Sequence, residues 1–521
     1  MPRRILVPVL LMTFGVAWLA AGQAQNAPYD LLIRGGRVLD GSGSPWLRED
    51  IAITGSRIVA MGNLANAQAR RVVDAKDLVV APGFIDVHSH VSGSLVRETL
   101  RDGKGLLAQG ITTVVVNPDG GGPTDLAAQR ASFERGGIGV NVAMLVPHGS
   151  VRSAVMKDPR AKVPTAEELE AMRTLVRRGV EAGAFGLSSG LFYEPGRNAA
   201  IEEVIELARV AGGVYTSHIR DEGTYDAGVV ASVREVIRVA EDAKVRGIVT
   251  HIKALGPDAW GLATTMIQDI EAARTRGVEV FADQYPYEAS STSLGAAVLP
   301  GPSGPDAVKA RMAEPASADD LLKEVAENIR RRGGPASIVI ASGRGAEGEA
   351  GRNLQQIAEA RGLTPARAAV DILLGGGASI VSFNMSEENI RAFMRQPWTM
   401  TSSDGDLSLP GPSRPHPRGH GAFARKLAVY GRERGVLSLE EVIRTGTSLS
   451  ARVFGMTDRG TLRAGALADV IVFDPASVRD VASYSDPHQH AVGMRFVLVN
   501  GVLAVDNGAP TGALAGLVLR R

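Results

Sequence analysis

Between about residues 81 and 450, apolar strand-like runs alternate with amphipathic helical patterns, and short period-two segments frame this region on both sides. Together these predict an α/β protein, a (β/α)8 TIM-type barrel with a small β-sandwich module built from both chain ends. The barrel strand candidates, in order, are "GFIDVHSH", "TTVVVNPD", "VNVAMLVPHG", "AFGLSSG", "VYTSHIR", "IVTHIKA", "VEVFADQYPY" and "WTMTSSDG". Helical patterns such as "TAEELEAMRTLVRRGVEAG" and "GVVASVREVIRVAEDAK" separate most of them. A doubly wound sheet is the alternative, but "GGGP" at 120–123 lacks the spacing of a phosphate-binding glycine fingerprint.

The module's first part, 25–80, reads as strands in "DLLIRGGRVLD", "EDIAITGSRIVAMG" and "RRVVDAKDLVVAPG". Its second part, 451–521, holds "GTLRAGALADVIVFDP" and "MRFVLVNGVLAVDNG". The barrel fills 81–450, and a Pro/Ala/Gly-rich then helical stretch around 295–345 looks like an insertion after the seventh strand. Residues 1–24 read as a signal peptide: Arg3 and Arg4, an apolar run from Ile5 to Ala21, then Gly22-Gln23-Ala24 as a small-x-small cleavage pattern. The expected mature protein is exported, with the periplasm its compartment, and nothing further along is apolar enough to keep it in a membrane.

Composition narrows the chemistry. An apolar fraction of 45% against 22% charged residues supports a large core. Lys+Arg 57 against Asp+Glu 56 leaves no basic excess for nucleic acid. The absence of cysteine excludes disulfides, thiolate metal sites and a cysteine nucleophile, so any metal must be held by His and carboxylates.

Barrel enzymes place their chemistry at the C-terminal ends of the strands. Reading those ends yields His88, His90, Asp119, His218, His251 and Asp404. Residues i and i+2 of a strand share a face, so His88 and His90 present two imidazoles together. Imidazoles and carboxylates converging on a barrel mouth make a divalent metal site, where the ion lowers the pKa of water to about 7 and polarises a carbonyl. Asp119 either ligates the metal or caps the Gly-rich turn that follows it. Asp404, in "TSSDG", has no cationic neighbour in the sequence to neutralise it. Lys253 lies two residues past His251, on the same face if the strand persists. Arg418, in the loop "SRPHPRGHG", offers a fork suited to a carboxylate. His416 and His420 in that loop read as supporting groups.

The His-x-His after the first strand, single His after the fifth and sixth, and Asp after the eighth resemble the amidohydrolase superfamily, as do "PGFIDVHSH" and the closing "GALADVIVFD". Within it the chain resembles the N-acyl-D-amino-acid deacylases (D-aminoacylases). The resemblance is carried by "SSGLFYEPGRNA", "SHIRDE", "THIKA", "DQYPYEASST", "SSDG" and "HPRGHGAFARKL". It implies a hydrolase of linear amide bonds acting on a small N-acyl amino acid. His218 and His251 would hold a tight Zn2+, and His88 and His90 would border a second, weaker divalent position. Asp404 would act as general base and then acid, and Lys253, Tyr285, Ser291 and Arg418 would bind the substrate carboxylate. The chain departs from the family pattern where relatives carry a Cys ligand after the second strand; here "NPDG" puts Asp119 in that place, a harder ligand. No Lys follows the fourth strand, "FGLSSG", to carry the carbamate bridge of cyclic amidases. Another amidohydrolase, such as a dipeptidase or cyclic amidase, is the alternative, and a non-catalytic binding protein on the same scaffold the more distant one.

Overall fold

The computed structural model describes residues 28–521, so the signal-peptide stretch 1–24 lies outside the described residues. Eight parallel strands form the barrel: β1 (Phe84–Asp86), β2 (Ile111–Val116), β3 (Asn141–Met144, continuing in Val146–Pro147), β4 (Gly186–Gly190), β5 (Val214–His218), β6 (Arg246–Val249), β7 (Val280–Gln284) and β8 (Thr399–Thr401). Each pairs in parallel with the next. The ring comes round just past β8 and β1, where Ser89 pairs with Gly405, Asp404 N donates to His88 O and His90 N donates to Gly405 O, both at 2.9 Å. The backbone that completes the barrel is thus the backbone that carries three candidate site residues.

The strands are legible because parallel strands are covered on both faces and favour unbroken β-branched runs. In β2 all six residues of ITTVVV are buried. The helix Ala166–Glu181 starts on a capping box, Thr165 Oγ1 accepting from Glu168 N and the Glu168 carboxylate accepting from Thr165 N. It buries Met172 and Val176, four apart. The helix Val229–Ala243 turns Val229, Val233, Val236, Ile237 and Ala240 inward on the same helical spacing.

Both chain ends meet in one nine-stranded sheet. Tyr29–Val38 pairs antiparallel with Leu47–Thr54 and parallel with Val79–Pro82, and Val470–Phe473 pairs antiparallel with Val79–Pro82 and Met494–Val499. Period two divides the burial: Val470 and Val472 enter the module's own core with Ile33, Ile51 and Ile53, while Ile471 and Phe473 face the barrel core.

Between β7 and β8 the chain leaves the barrel. Ala289–Ser293, Ile338–Ser342 and Ser379–Phe383 form a three-stranded antiparallel sheet, with helices including Pro315–Arg331 and Pro365–Leu374. Leu321, Val325, Ile329, Ile340, Ile357 and Ile380 give this unit a core of its own. It runs past 345, because Ser379–Phe383 must return to pair with both other strands. Among the described residues no helix is long and apolar enough to cross a membrane.

Candidate metal centre and active site

The side chains at the barrel mouth converge. His88 and His90 lie just beyond β1, their rings 5.4 Å apart. Their Nε2 atoms stand 3.5 and 3.1 Å from Asp404 Oδ1, and each is 3.5 Å from Asp119 Oδ2. His218 ends β5 and His251 follows β6; His218 Nδ1 is 3.9 Å from Asp119 Oδ2 and His251 Nε2 is 3.7 Å from Asp119 Oδ1. Asp119 therefore belongs to two clusters, one with His88, His90 and Asp404, the other with His218 and His251.

Local backbone strain aims these groups. Asp119, His251 and Asp404 all have left-handed φ values, 55°, 37° and 49°, a conformation that concentrates at functional sites where surrounding structure holds it. At His251 the holder is Asp283, whose Oδ1 accepts from His251 N at 2.9 Å and from Ser402 Oγ at 2.6 Å. At Asp119 it is Ser188 of β4, which donates to Asn117 O at 2.6 Å and accepts from Gly120 N at 3.2 Å. A Cβ on Gly120 would sit 2.9 Å from Gly190 N, so the turn packs against β4 only with glycine there. β4 thus buttresses the turn and offers no ligand of its own.

The residues fit a divalent ion. Both ring nitrogens of His88, Asp119 Oδ1 and His218 Nδ1 are buried without a hydrogen-bond partner. Such orphans each cost about 1–3 kcal/mol, and cations held by the two clusters would take up one nitrogen of each ring together with the carboxylate. Burial pushes His218 down to about 4, which keeps it in the neutral, ligating form. Burial opposes charge on Asp119, but His88 and the other imidazoles outweigh it and hold the carboxyl well below its ordinary range. That carboxylate accepts no backbone N–H from its turn among the described residues; it faces the four imidazoles.

Glu222 supports the second cluster from behind. His251 Nδ1 is 2.9 Å from its Oε1 and His218 Nε2 is 3.8 Å from its Oε2. Each imidazole so turns one nitrogen to Asp119 and the other towards Glu222, an outer carboxylate close enough to orient the His251 ring and raise its basicity as a ligand. Sequence reasoning missed Glu222, although it stands four residues after His218 in "SHIRDE".

The four residues expected to read a substrate carboxylate line one cavity of about 790 Å³ together with His90, Asp119, His218, His251 and Asp404. Lys253 is buried and contacts Glu222 Oε1 and, at 2.8 Å, His251 Nδ1. β6 stops at Val249, so a turn rather than strand periodicity brings Lys253 and His251 together. The Tyr285 hydroxyl is buried and unpartnered, with the Arg418 guanidinium 4.8 Å over its ring. Ser291 Oγ donates to Ile380 O at 2.9 Å.

Two sequence expectations need correction here. Arg418 is the first residue of a helix, Arg418–Arg425, and not a loop residue. Asp404 does have a cationic neighbour: Arg418 Nη1 lies 2.7 Å from Asp404 Oδ2. Burial raises the Asp404 carboxyl, but Arg418 prevails and holds it well below the carboxylate range. Two glycines permit the approach, since a Cβ on Gly405 would lie 2.5 Å from Gly419 Cα. His416 steadies this arrangement, its Nδ1 accepting from Arg418 N at 3.1 Å and its Nε2 bonding Ala289 O at 2.9 Å. His420 sits apart, stacked on His490 at 5.6 Å.

The amidohydrolase family model matches residues 71–283 and 309–505. The D-aminoacylase of Alcaligenes xylosoxydans xylosoxydans is 35% identical over 96% of this chain and 99% of its own length. The N-acyl-D-glutamate deacylase of the same organism is 38% identical over 94% of this chain and 96% of its own. The crystal structure of N-acyl-D-glutamate deacylase from Bordetella bronchiseptica, complexed with zinc and a phosphonate mimic of the tetrahedral intermediate, superposes with a TM-score of 0.81 at 35% identity. That match covers 95% of this chain and 100% of the other. The family match, a shared fold and near full-length similarity place the chain in the amidohydrolase family, among its N-acyl-D-amino-acid deacylases.

Proposed function

We propose that this chain is an exported, zinc-dependent amide hydrolase that removes the acyl group from N-acyl-D-amino acids, releasing a D-amino acid and a carboxylate. The observation that carries the reading is a single cavity joining two histidine clusters through Asp119 to the Arg418–Tyr285–Lys253 corner. The choice of zinc and of the D configuration rests on the relatives named above.

His218 and His251 with Asp119 would hold the tighter ion, and His88, His90, Asp119 and Asp404 border a second position. A bound divalent ion supplies an activated water and polarises the amide carbonyl. Asp404 would take the proton from the attacking water and deliver it to the leaving amine. Its left-handed backbone, anchored to His88 O, directs the carboxylate into the mouth. Arg418 has further N–H donors beyond the one on Asp404, so one guanidinium can bind the substrate carboxylate and keep the base in register with it. Tyr285, with its unpartnered hydroxyl, and Lys253 complete that anchor, and Ser291 would join it by turning its hydroxyl away from Ile380 O.

A screen of N-acyl-D- and N-acyl-L-amino acids, read by amine release with and without a chelator, tests the activity. Turnover of D substrates that the chelator abolishes is expected; turnover indifferent to chelation, or confined to L substrates, would overturn it. Export rests on Arg3, Arg4 and the run from Ile5 to Ala21. N-terminal sequencing should find a start near Gln25, and an intact Met1 on secreted or membrane-bound protein would reject that part.

A further inference from the structure

The barrel mouth holds a second cavity beside the first. It measures about 710 Å³ and shares only Asp119, Gly121, Gly122 and Tyr193 with the cavity that contains the carboxylate anchor, so these four form the lip between the two. Its walls are the turn 119–124 after β2, the helix His148–Val155 after β3 and the segment 193–196 after β4. The anchor residues come from the other side of the ring: Lys253 follows β6, Tyr285 and Ser291 follow β7, and Arg418 follows β8. In a ring of eight strands β2 to β4 lie across from β6 to β8, with the histidine–aspartate centre between them. A substrate carboxylate held at Arg418, with its amide at that centre, therefore points its acyl group at the second cavity. The floor there is main chain. A Cβ on Gly190 would meet Asp119 O at 2.2 Å, one on Gly196 would meet Gly190 O at 2.4 Å, and one on Gly149 would meet Gly120 O at 3.0 Å. The three loops thus touch backbone to backbone, an approach that glycine permits. Gly121 O and Gly122 N make no hydrogen bond among the described residues. No Val, Leu, Ile, Met, Phe or Trp lines the cavity, and Gly121, Gly122, Ser153 and Glu194 on its walls are exposed. Such a trough offers an alkyl chain little apolar surface to bury, and offers an extended polar chain main-chain partners. An acetyl group would leave almost all of it unfilled, although its volume is that of a ligand site in its own right, about 300–1,000 Å³.

We propose that the second cavity is an acyl-side subsite for an extended peptide, so that the enzyme also acts as a metallocarboxypeptidase, releasing a D-amino acid from the C-terminus of peptides several residues long. The inference rests on the deacylase reading above and extends it from small acyl groups to peptidyl ones. The bond broken is of the same kind. Water adds its hydroxyl to the last peptidyl carbonyl carbon, the C–N bond breaks, and the remaining proton of the water leaves on the nitrogen of the D-amino acid. The products are a shortened peptide acid and a free D-amino acid. Main-chain groups at Gly121 and Gly122 would read peptide units whatever side chains these carry, which suits a site for length and not for sequence.

The test uses the metal-loaded full chain and one D-amino acid carried by four acyl groups: acetyl, acetyl-dialanyl, acetyl-trialanyl (both of L-alanine) and octanoyl. From acetyl to the peptides kcat/KM should rise on the order of 10-fold, the yield of one or two main-chain hydrogen bonds, while octanoyl should gain nothing over acetyl. Ser153 is an exposed helix position that lines only the second cavity. Ser153→Trp should return the peptides to the acetyl level or below, and Ser153→Ala should keep most of their gain. No rise from acetyl to the peptides, a larger gain for octanoyl, or a peptide gain that Ser153→Trp leaves intact would overturn the proposal. Binding of the acid product acetyl-trialanine, by calorimetry on the same proteins, separates the two claims. Turnover of the acetyl substrate with no gain for the peptides, and no product binding that Ser153→Trp weakens, would keep the deacylase and remove the subsite. Absence of any turnover, with product binding that Ser153→Trp weakens, would do the reverse. Should the Trp variant fail to fold, the ranking of the four acyl groups by the unsubstituted chain still decides.

Discussion

Replacing Asp119 by Ala takes away the carboxylate shared by both histidine clusters. The second cluster is left with His218 and His251 alone, while the first retains His88, His90 and Asp404. Loss of an outer partner already lowers metal affinity ~10–100-fold, so loss of a direct ligand should lower it by at least ~100-fold. That corresponds to about 2.7 kcal/mol of metal-linked stability at saturating ion. A separate backbone effect comes from φ 55° at this position, where Ala is disfavoured by about 1–2 kcal/mol. Asp119→Asn separates the two, because Asn tolerates the left-handed region yet is a poorer ligand. Metal content after gel filtration, chelator competition and thermal melts with and without added zinc are the measurements. Asp119→Ala should lose metal and most of the zinc-dependent rise in melting temperature. Asp119→Cys should keep zinc and prefer it over harder ions more strongly than the parent does. Unchanged stoichiometry and affinity in Asp119→Ala would show that Asp119 merely shapes its turn and that the ligand set lies elsewhere.

Asp404→Asn should preserve the fold, since Asn accepts φ 49° and the backbone bond to His88 O remains. It should cut turnover ~10²–10⁴-fold, and near-parental rates in a fully metallated variant would remove Asp404 from the chemistry. Arg418→Ala should raise KM for N-acyl amino acids far more than for their carboxamides. Comparing the two cancels the common effect of leaving Asp404 unpaired, and equal losses would show that Arg418 does not read the substrate. Lys426 is buried, donating to Thr401 Oγ1 at 2.8 Å and Thr445 Oγ1 at 3.1 Å. Burial pushes its pKa from 10.5 down to about 7, aided by Arg444 and opposed by Glu441. Between about 7 and 10.5 the unfolded chain therefore holds the extra proton, and this residue makes stability rise with pH. Lys426→Met should flatten that rise in melts taken at pH 7 and pH 9; an unaltered slope would contradict it.

What could be read from the residues alone depended on short-range pattern. β2 announces itself because a parallel strand covered on both faces selects an unbroken apolar run, and Val229–Ala243 because its inward residues recur every three or four. Once the strands are located, His88, His90, His218, His251 and Asp404 follow, since barrel chemistry collects at strand ends. The sequence also determines that any metal here is held by nitrogen and oxygen, because it contains no sulfur from cysteine. What lies outside its reach is which of these groups touch. Arg418 meets Asp404 because Gly405 and Gly419 let a helix start and a strand end come together, and no local pattern encodes that approach. Glu222 reads as one more charge after a strand, and its place behind His218 and His251 depends on how the loops after β5 and β6 pack on each other. Arg332 looks like its neighbours Arg330 and Arg331, all suited to a helix C-terminus. Only the docking of the insertion unit against the loop at Gly256 buries Arg332 beside the cavity, because contacts between segments far apart in sequence are set by the packing of whole elements and not by the identity of the residues beside them.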